Sequence, residues 1–136
     1  MKDRVFFDSN VLIYAYSSDD IAKEKCVDKL LNSHGIIILS TQTINEFINV
    51  MTKKKKTSYQ QVAAAINEMF DIFLIETIDI IVIQKAIDIA TKYRYSYFDS
   101  LMIASALNSN CSILYTEDMH NTHVIEDNLQ IINPFI

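Results

Sequence analysis

The chain has 136 residues, half of them hydrophobic, and a net charge of −5. This length and composition suit one globular domain with a real core and exclude an intrinsically disordered chain. The acidic balance argues against a broad electrostatic grip on nucleic acid, although carboxylates gathered around a divalent cation would count as negative in the same sum.

No apolar run approaches the ~20 residues that cross a bilayer, so no membrane association is expected and the protein is read as cytoplasmic. Met1-Lys2-Asp3-Arg4 carries charge, but the apolar stretch behind it breaks at Asp8 and lacks a small-residue cleavage pattern. It reads as the first strand of a mature protein, not as a signal peptide. Cys26 and Cys111 lie far apart and form no CxxC or Cys/His zinc spacing, so they read as buried cytosolic thiols. Gly35 and Pro134 are the only glycine and proline. Tight hairpins call for Gly or Asn-Gly turns, so a sandwich or barrel is disfavoured and helices joined by short polar loops are expected.

In chain order, Val5-Phe6-Phe7 runs into Asp8-Ser9-Asn10 and then Val11-Leu12-Ile13-Tyr14, a strand at 5–8 followed by a helix. Asp8 has two readings there. It caps the helix, as Asp, Ser and Asn do well, or it belongs to a site at the strand's carboxyl end, where open α/β sheets bind their ligands. A helix over 21–31 is opened by Asp19 and Asp20, with Val27, Leu30 and Leu31 inward. A second strand occupies 36–39. Helices at 41–54 and 58–70 follow, the latter capped by Ser58, and a weaker third strand at 72–75. Asp79 opens a helix in which Ile83, Ala86, Ile87 and Ala90 recur at helical spacing, and another helix covers 97–108. Strands at 112–115 and 129–132 complete the series. The first, second and fourth strands are apolar throughout, as buried parallel strands are. The alternation implies an α/β fold, one domain over 1–136, with a central parallel sheet of about four to five strands and helices on both faces.

Three acids fall near the carboxyl ends of strands: Asp8 after the first, Glu46 in the first turns of the helix after the second, and Asp118 after the fourth. Asp99 is placed differently, at the head of a stripe formed by Met102, Ile103 and Ala106. An unpaired carboxylate buried on such a face costs several kcal/mol. Its structural alternative is to cap its helix or pair with Arg94. Two unit charges ~4 Å apart repel by ~4 kcal/mol at an effective dielectric of 20, so four converging carboxylates need protons or cations. Mg²⁺ and Mn²⁺ prefer oxygen ligands and can activate water toward a phosphodiester.

The motifs Phe7-Asp8-Ser9-Asn10-Val11-Leu12, Asn45-Glu46-Phe47, Tyr97-Phe98-Asp99-Ser100-Leu101-Met102-Ile103-Ala104 and Tyr115-Thr116-Glu117-Asp118 resemble those of PIN-domain nucleases. In length and motif order the likeness is to the VapC-type toxins of toxin–antitoxin pairs, and it runs from the first strand to the last. The resemblance implies a PIN-like fold and an endoribonuclease in which Asp8, Glu46, Asp99 and Asp118 bind Mg²⁺ or Mn²⁺. It assigns Asn10 and Thr116 to support of the metal site. It also implies a homodimer held inactive by a small antitoxin. Many members place an aromatic soon after the last acid where this chain has Met119-His120-Asn121, which leaves Glu117 as an alternative to Asp118.

Other features keep two readings each. Lys53 to Lys56 either touches RNA phosphates, with Lys53 and Lys54 foremost, or is a solvated helix end. Arg94 and Tyr95 either stack on unpaired bases or pack in the core. His120 and His123 lack a third zinc ligand and read as surface histidines, and Cys26 reads as packing. Two alternatives to the ribonuclease remain: a non-catalytic PIN-like binding module and a metal-dependent nuclease acting on DNA. An aspartyl-phosphate enzyme would want Asp-x-Asp where this chain has Asn10.

Overall fold

The structure, a computed structural model, describes residues 3–136; Met1 and Lys2, which entered the reading of the first segment, lie outside them. The described elements are β1 (Arg4–Phe7), α1 (Ser9–Tyr16), α2 (Ile21–Ser33), β2 (Ile36–Ser40), α3 (Thr41–Lys53), α4 (Tyr59–Ile72), β3 (Leu74–Glu76), α5 (Ile80–Tyr93), α6 (Tyr97–Asn108), β4 (Ile113–Tyr115), β5 (Val124–Ile125) and β6 (Leu129–Ile132). They build one sheet of six strands in the order β3-β2-β1-β4-β6-β5. Every pairing is parallel except that of β5 with β6.

The strands alternate their side chains between two layers of helix. Val5 and Phe7 of β1 join a core formed with α1, α2, α3 and α4 on one face. Phe6 of the same strand points the other way, into a core with Met102, Ile103 and Ala106 of α6 and Ile89 of α5. Helix starts follow the local chemistry. The side chains of Asp20, Ser40, Ser58, Asp79 and Ser96 each accept a backbone N–H from their helix's first turn.

Three features depart from the sequence reading. Helix α6 has no polar side: residues 100–106 are all buried, because the helix lies between the sheet and α5. The third strand begins at Leu74, since Ile72 still belongs to α4. The sixth strand, β5, was not anticipated. It is two residues long and joined to β6 by a hairpin that contains no glycine.

That hairpin turns at Glu126 and Asp127, both with positive φ (52° and 58°), and Asn128 N–H donates to Ile125 C=O at 3.1 Å. Two consecutive left-handed residues are the signature of a type I′ turn, and each costs a non-glycine residue roughly 1–2 kcal/mol. Glu126 offsets the strain with its side chain, which accepts from Lys92 (2.8 Å), Lys85 (3.3 Å) and Tyr93 Oη (3.0 Å). Its own N–H donates to the same Tyr93 oxygen at 3.1 Å. Asp127 is exposed and has no comparable set of partners among the described residues. Asp127→Gly is therefore expected to raise stability to urea by roughly 0.5–1 kcal/mol, and Glu126→Gly to lower it. Equal effects of the two substitutions would contradict this account of the turn.

Candidate functional site

Strands β1 and β4 are neighbours in the sheet, yet their chains leave it in different directions. After β1 the chain enters α1 and moves toward β2; after β4 it turns toward β5 and β6. A crevice opens at the carboxyl ends of two such strands. Asp8 lies at its floor, 4% exposed, with Thr116 wholly buried beside it.

Asp8 is both the helix cap and part of a polar network. Its Oδ1 accepts from Ser9 N–H at 2.7 Å, and its Oδ2 accepts from Thr116 Oγ1 at 2.8 Å. Asn10 Nδ2 lies 3.3 Å from Asp8 Oδ2, 3.0 Å from Thr116 Oγ1 and 3.0 Å from Asp118 Oδ2. With two hydrogens among three acceptors, that amide links the acid after β1 to the acid after β4. Asp118 N–H in turn donates to Thr116 Oγ1 at 3.2 Å.

Glu46 enters from α3. Its Oε1 accepts from Ser9 Oγ at 2.8 Å and its Oε2 from Gln42 Nε2 at 3.0 Å. Asp99 is half-buried in the first turn of α6, where Ser96 Oγ, not the Asp99 carboxylate, takes the capping bond. Among the described residues Asp99 forms no ion pair with Arg94, which is exposed and ends α5 in a left-handed conformation (φ 64°). Glu117 turns away from the acids and toward Lys23 and Tyr14.

The acids sense one another. Burial pushes the Asp8 carboxyl up to about 7 from its ordinary 3.8, and the Glu46 and Asp99 charges add to the shift against the Thr116 and Ser9 bonds. Asp99 is raised as well, by burial first and then by Asp118 and Glu46. The four carboxylates are thus coupled electrostatically, from the junction of β1 and α1, from α3, from α6 and from the segment after β4. They are not drawn to a single point: among the described residues, no group of three or more Asp, Glu, His or Cys is arranged to hold an ion. As hard oxygen donors the four suit Mg²⁺ or Mn²⁺ in ligand type, and a divalent cation would offset the burial and neighbouring charge that raise Asp8 and Asp99.

The PIN domain family matches residues 5–124, a span that contains all four acids. The chain belongs to the PIN-domain family. No curated protein matches it by sequence. Among solved structures, this PIN domain is similar to a toxin–antitoxin complex from Klebsiella pneumoniae, with a TM-score of 0.71 at 20% identity over 96% of this chain and 97% of the other. It is also similar to VapC20 of Mycobacterium tuberculosis, a sarcin-ricin loop cleaving toxin (TM-score 0.69, 13% identity, 84% and 91% covered). A third likeness is to VapBC2 from Rickettsia felis bound to a DNA fragment from their promoter (TM-score 0.67, 16% identity, 96% and 99% covered). At such identities the likeness is one of fold.

The other expected candidates lie apart from the crevice. Lys53 and Lys54 are exposed at the end of α3, about 10 Å along the helix axis from Glu46; Lys55 pairs with Asp19. His120 is exposed, and His123 is half-buried. Its Nδ1 meets Tyr95 Oη at 2.8 Å, and its ring packs on Tyr93 and Tyr95. Tyr95 is thus half-buried and packed against the core. Cys111 is buried, whereas Cys26 is only half-buried and donates to Pro134 C=O. Two contributors escaped the sequence reading as site residues, Ser9 and Gln42. Gln42 stands four residues before Glu46, a spacing that places the two on one helix face.

Because the Asp8 proton is held more tightly in the folded chain than at the ordinary pKa of 3.8, its contribution is fully present below about pH 4 and lost as pH rises through 7. In EDTA, the melting temperature is expected to fall between about pH 4 and pH 7, with up to about 4 kcal/mol from this group. Asp8→Asn should flatten the slope, which thermal melts across that range would read; an unchanged slope would refute the assignment.

Proposed function

We propose that this PIN domain is a Mg²⁺-dependent endoribonuclease, with Mn²⁺ an alternative ion, acting in the cytoplasm as the toxin of a toxin–antitoxin pair. The observation that carries the proposal is the coupling of Asp8, Glu46, Asp99 and Asp118 across the crevice between β1 and β4. These four residues would hold the ion. When bound, it supplies charge neutralisation at the phosphodiester and lowers the pKa of a water.

The chain's own residues set the stage for that chemistry. Ser9 and Gln42 orient Glu46. Thr116 and Asn10 fix the second oxygen of Asp8, and Asn10 also fixes Asp118. Lys53 and Lys54, solvent-facing and without ion pairs among the described residues, are placed to meet phosphates of the RNA away from the cleaved bond. Arg94, exposed between α5 and α6, is a second candidate for RNA contact. Partnership with a small antitoxin and assembly as a homodimer are proposed from the toxin–antitoxin complexes among the structural relatives. Among the described residues no helix is long and apolar enough to cross a membrane.

One observation favours a second function, a PIN-like module that binds without cleaving: the acids are not gathered as a ready ligand set. Cleavage of purified total RNA separates the two. Wild type with Mg²⁺ is expected to cut, EDTA to abolish cutting, and Asp99→Asn to slow it by about two orders of magnitude or more. Equal cleavage by wild type and variant would end the nuclease assignment. A parallel arm with single-stranded DNA distinguishes a DNA-directed enzyme.

A further inference from the structure

Glu117 lies between Thr116 and Asp118 in sequence and has its own set of partners. Its Oε1 accepts from Tyr14 Oη at 2.7 Å, and its Oε2 meets Lys23 Nζ at 2.8 Å. Lys23 Nζ also donates to Tyr14 Oη at 3.1 Å and stands 4.6 Å from the centre of the Tyr14 ring. The three side chains close on one another, and Phe135 flanks them, edge-on to Tyr14 and within 5.2 Å of the Lys23 ammonium. The Glu117 bond pushes the Lys23 ammonium above its usual range.

The backbone of Glu117 completes the connection to the crevice. Its N–H donates to Asn10 Oδ1 at 3.2 Å. An Asn amide has one oxygen and one nitrogen, so holding the oxygen at Glu117 turns the nitrogen toward Asp8, Thr116 and Asp118. Tyr14 and Asn10 both belong to α1, one turn apart, so Glu117 is tied to the same helix through side chain and backbone. Lys23 adds a tie to α2.

We propose that the Lys23–Glu117–Tyr14 cluster is a positioning device: it pins the segment after β4 to α1, so that Asn10 can bridge Asp8 to Asp118 and Asp118 faces the crevice. Glu117 is then not a substitute for Asp118 but the residue that aims it. This rests on the metal site proposed above. Partners that orient metal-binding carboxylates commonly cost about 10- to 100-fold in metal affinity when removed. A partly exposed ion pair is worth little to stability, so affinity and folding come apart at this cluster.

The test is Mn²⁺ binding by calorimetry and electron paramagnetic resonance, on the full chain, for wild type, Glu117→Gln, Lys23→Met, the double variant, and Asp118→Asn. Glu117→Gln and Lys23→Met are each expected to weaken Mn²⁺ binding by about 10-fold, to broaden the bound-ion spectrum and to leave the melting temperature near that of wild type. The double variant should be no weaker than the worse single one, because both remove the same constraint. The charge-exchanged pair Lys23→Glu with Glu117→Lys should recover part of the affinity. If wild type binds Mn²⁺, Asp118→Asn does not, and Glu117→Gln binds within twofold of wild type, the positioning role is overturned while the metal site stands. If wild type binds no Mn²⁺, both fall together.

Discussion

A carboxylate with almost no exposure to solvent sits at the end of β1, and the crevice is arranged around keeping it there. Among the described residues Asp8 has no cation as a hydrogen-bond partner, and its bonds come from a backbone N–H, a hydroxyl and an amide. The donors come from two pieces of chain: Ser9 and Asn10 open α1, Thr116 follows β4, and Asn10 reaches onward to Asp118. Burying the charge is unfavourable on its own, as the raised proton affinity records. The fold accepts that cost at the one place where adjacent strands part, and so obtains a polar concavity inside an otherwise apolar sheet. Stability and site chemistry pull against each other at this residue.

The second constraint is the burial of α6. A helix enclosed by a sheet on one side and α5 on the other has little freedom to shift, since cores are packed to crystal-like density. Asp99 sits in the first turn of that helix, just ahead of residues 100–106, none of which is free of the core. Its position in the crevice is fixed by Met102, Ile103 and Ala106 more than by any polar bond of its own. Asp118, by contrast, is exposed and takes its orientation from hydrogen bonds to Asn10 and Thr116.

Much of this was legible in the residues. The apolar runs located five of the strands, and the Ser and Asp caps located the helix starts, because those signals are local. The acids near the strand ends were legible as candidates for the same reason: Asp8 follows its apolar run directly, Asp118 three residues after Tyr115, and Glu46 in the helix that begins straight after the second run. Asp99 was legible from its spacing to Met102, Ile103 and Ala106, although α6 has no polar side to contrast with that stripe. The strand β5 was not legible, since two residues carry no period and its turn uses Glu and Asp where glycine is the usual signal. Nor were the Ser9–Glu46 bond or the Lys23–Glu117 pair, whose partners stand 37 and 94 residues apart. His123 read as a surface residue because nothing local announces that Tyr93 and Tyr95 will close over it.

Strand β4 is an interior strand, hydrogen-bonded to β1 on one side and β6 on the other. The bond from Thr116 to Asp8 spans 108 positions of the chain. During synthesis, then, β1, β2 and β3 are all available to pair before β4 has left the ribosome, and β1 waits with one edge open. A nascent chain that has reached the end of α6 already carries Asp8, Glu46 and Asp99, but has neither the threonine that satisfies Asp8 nor the acid across the crevice. The concavity is finished only when β4 fills the centre of the sheet. Long-range closure of this kind is slow relative to helix formation, so the order of manufacture itself keeps an incomplete chain from presenting a complete set of acids.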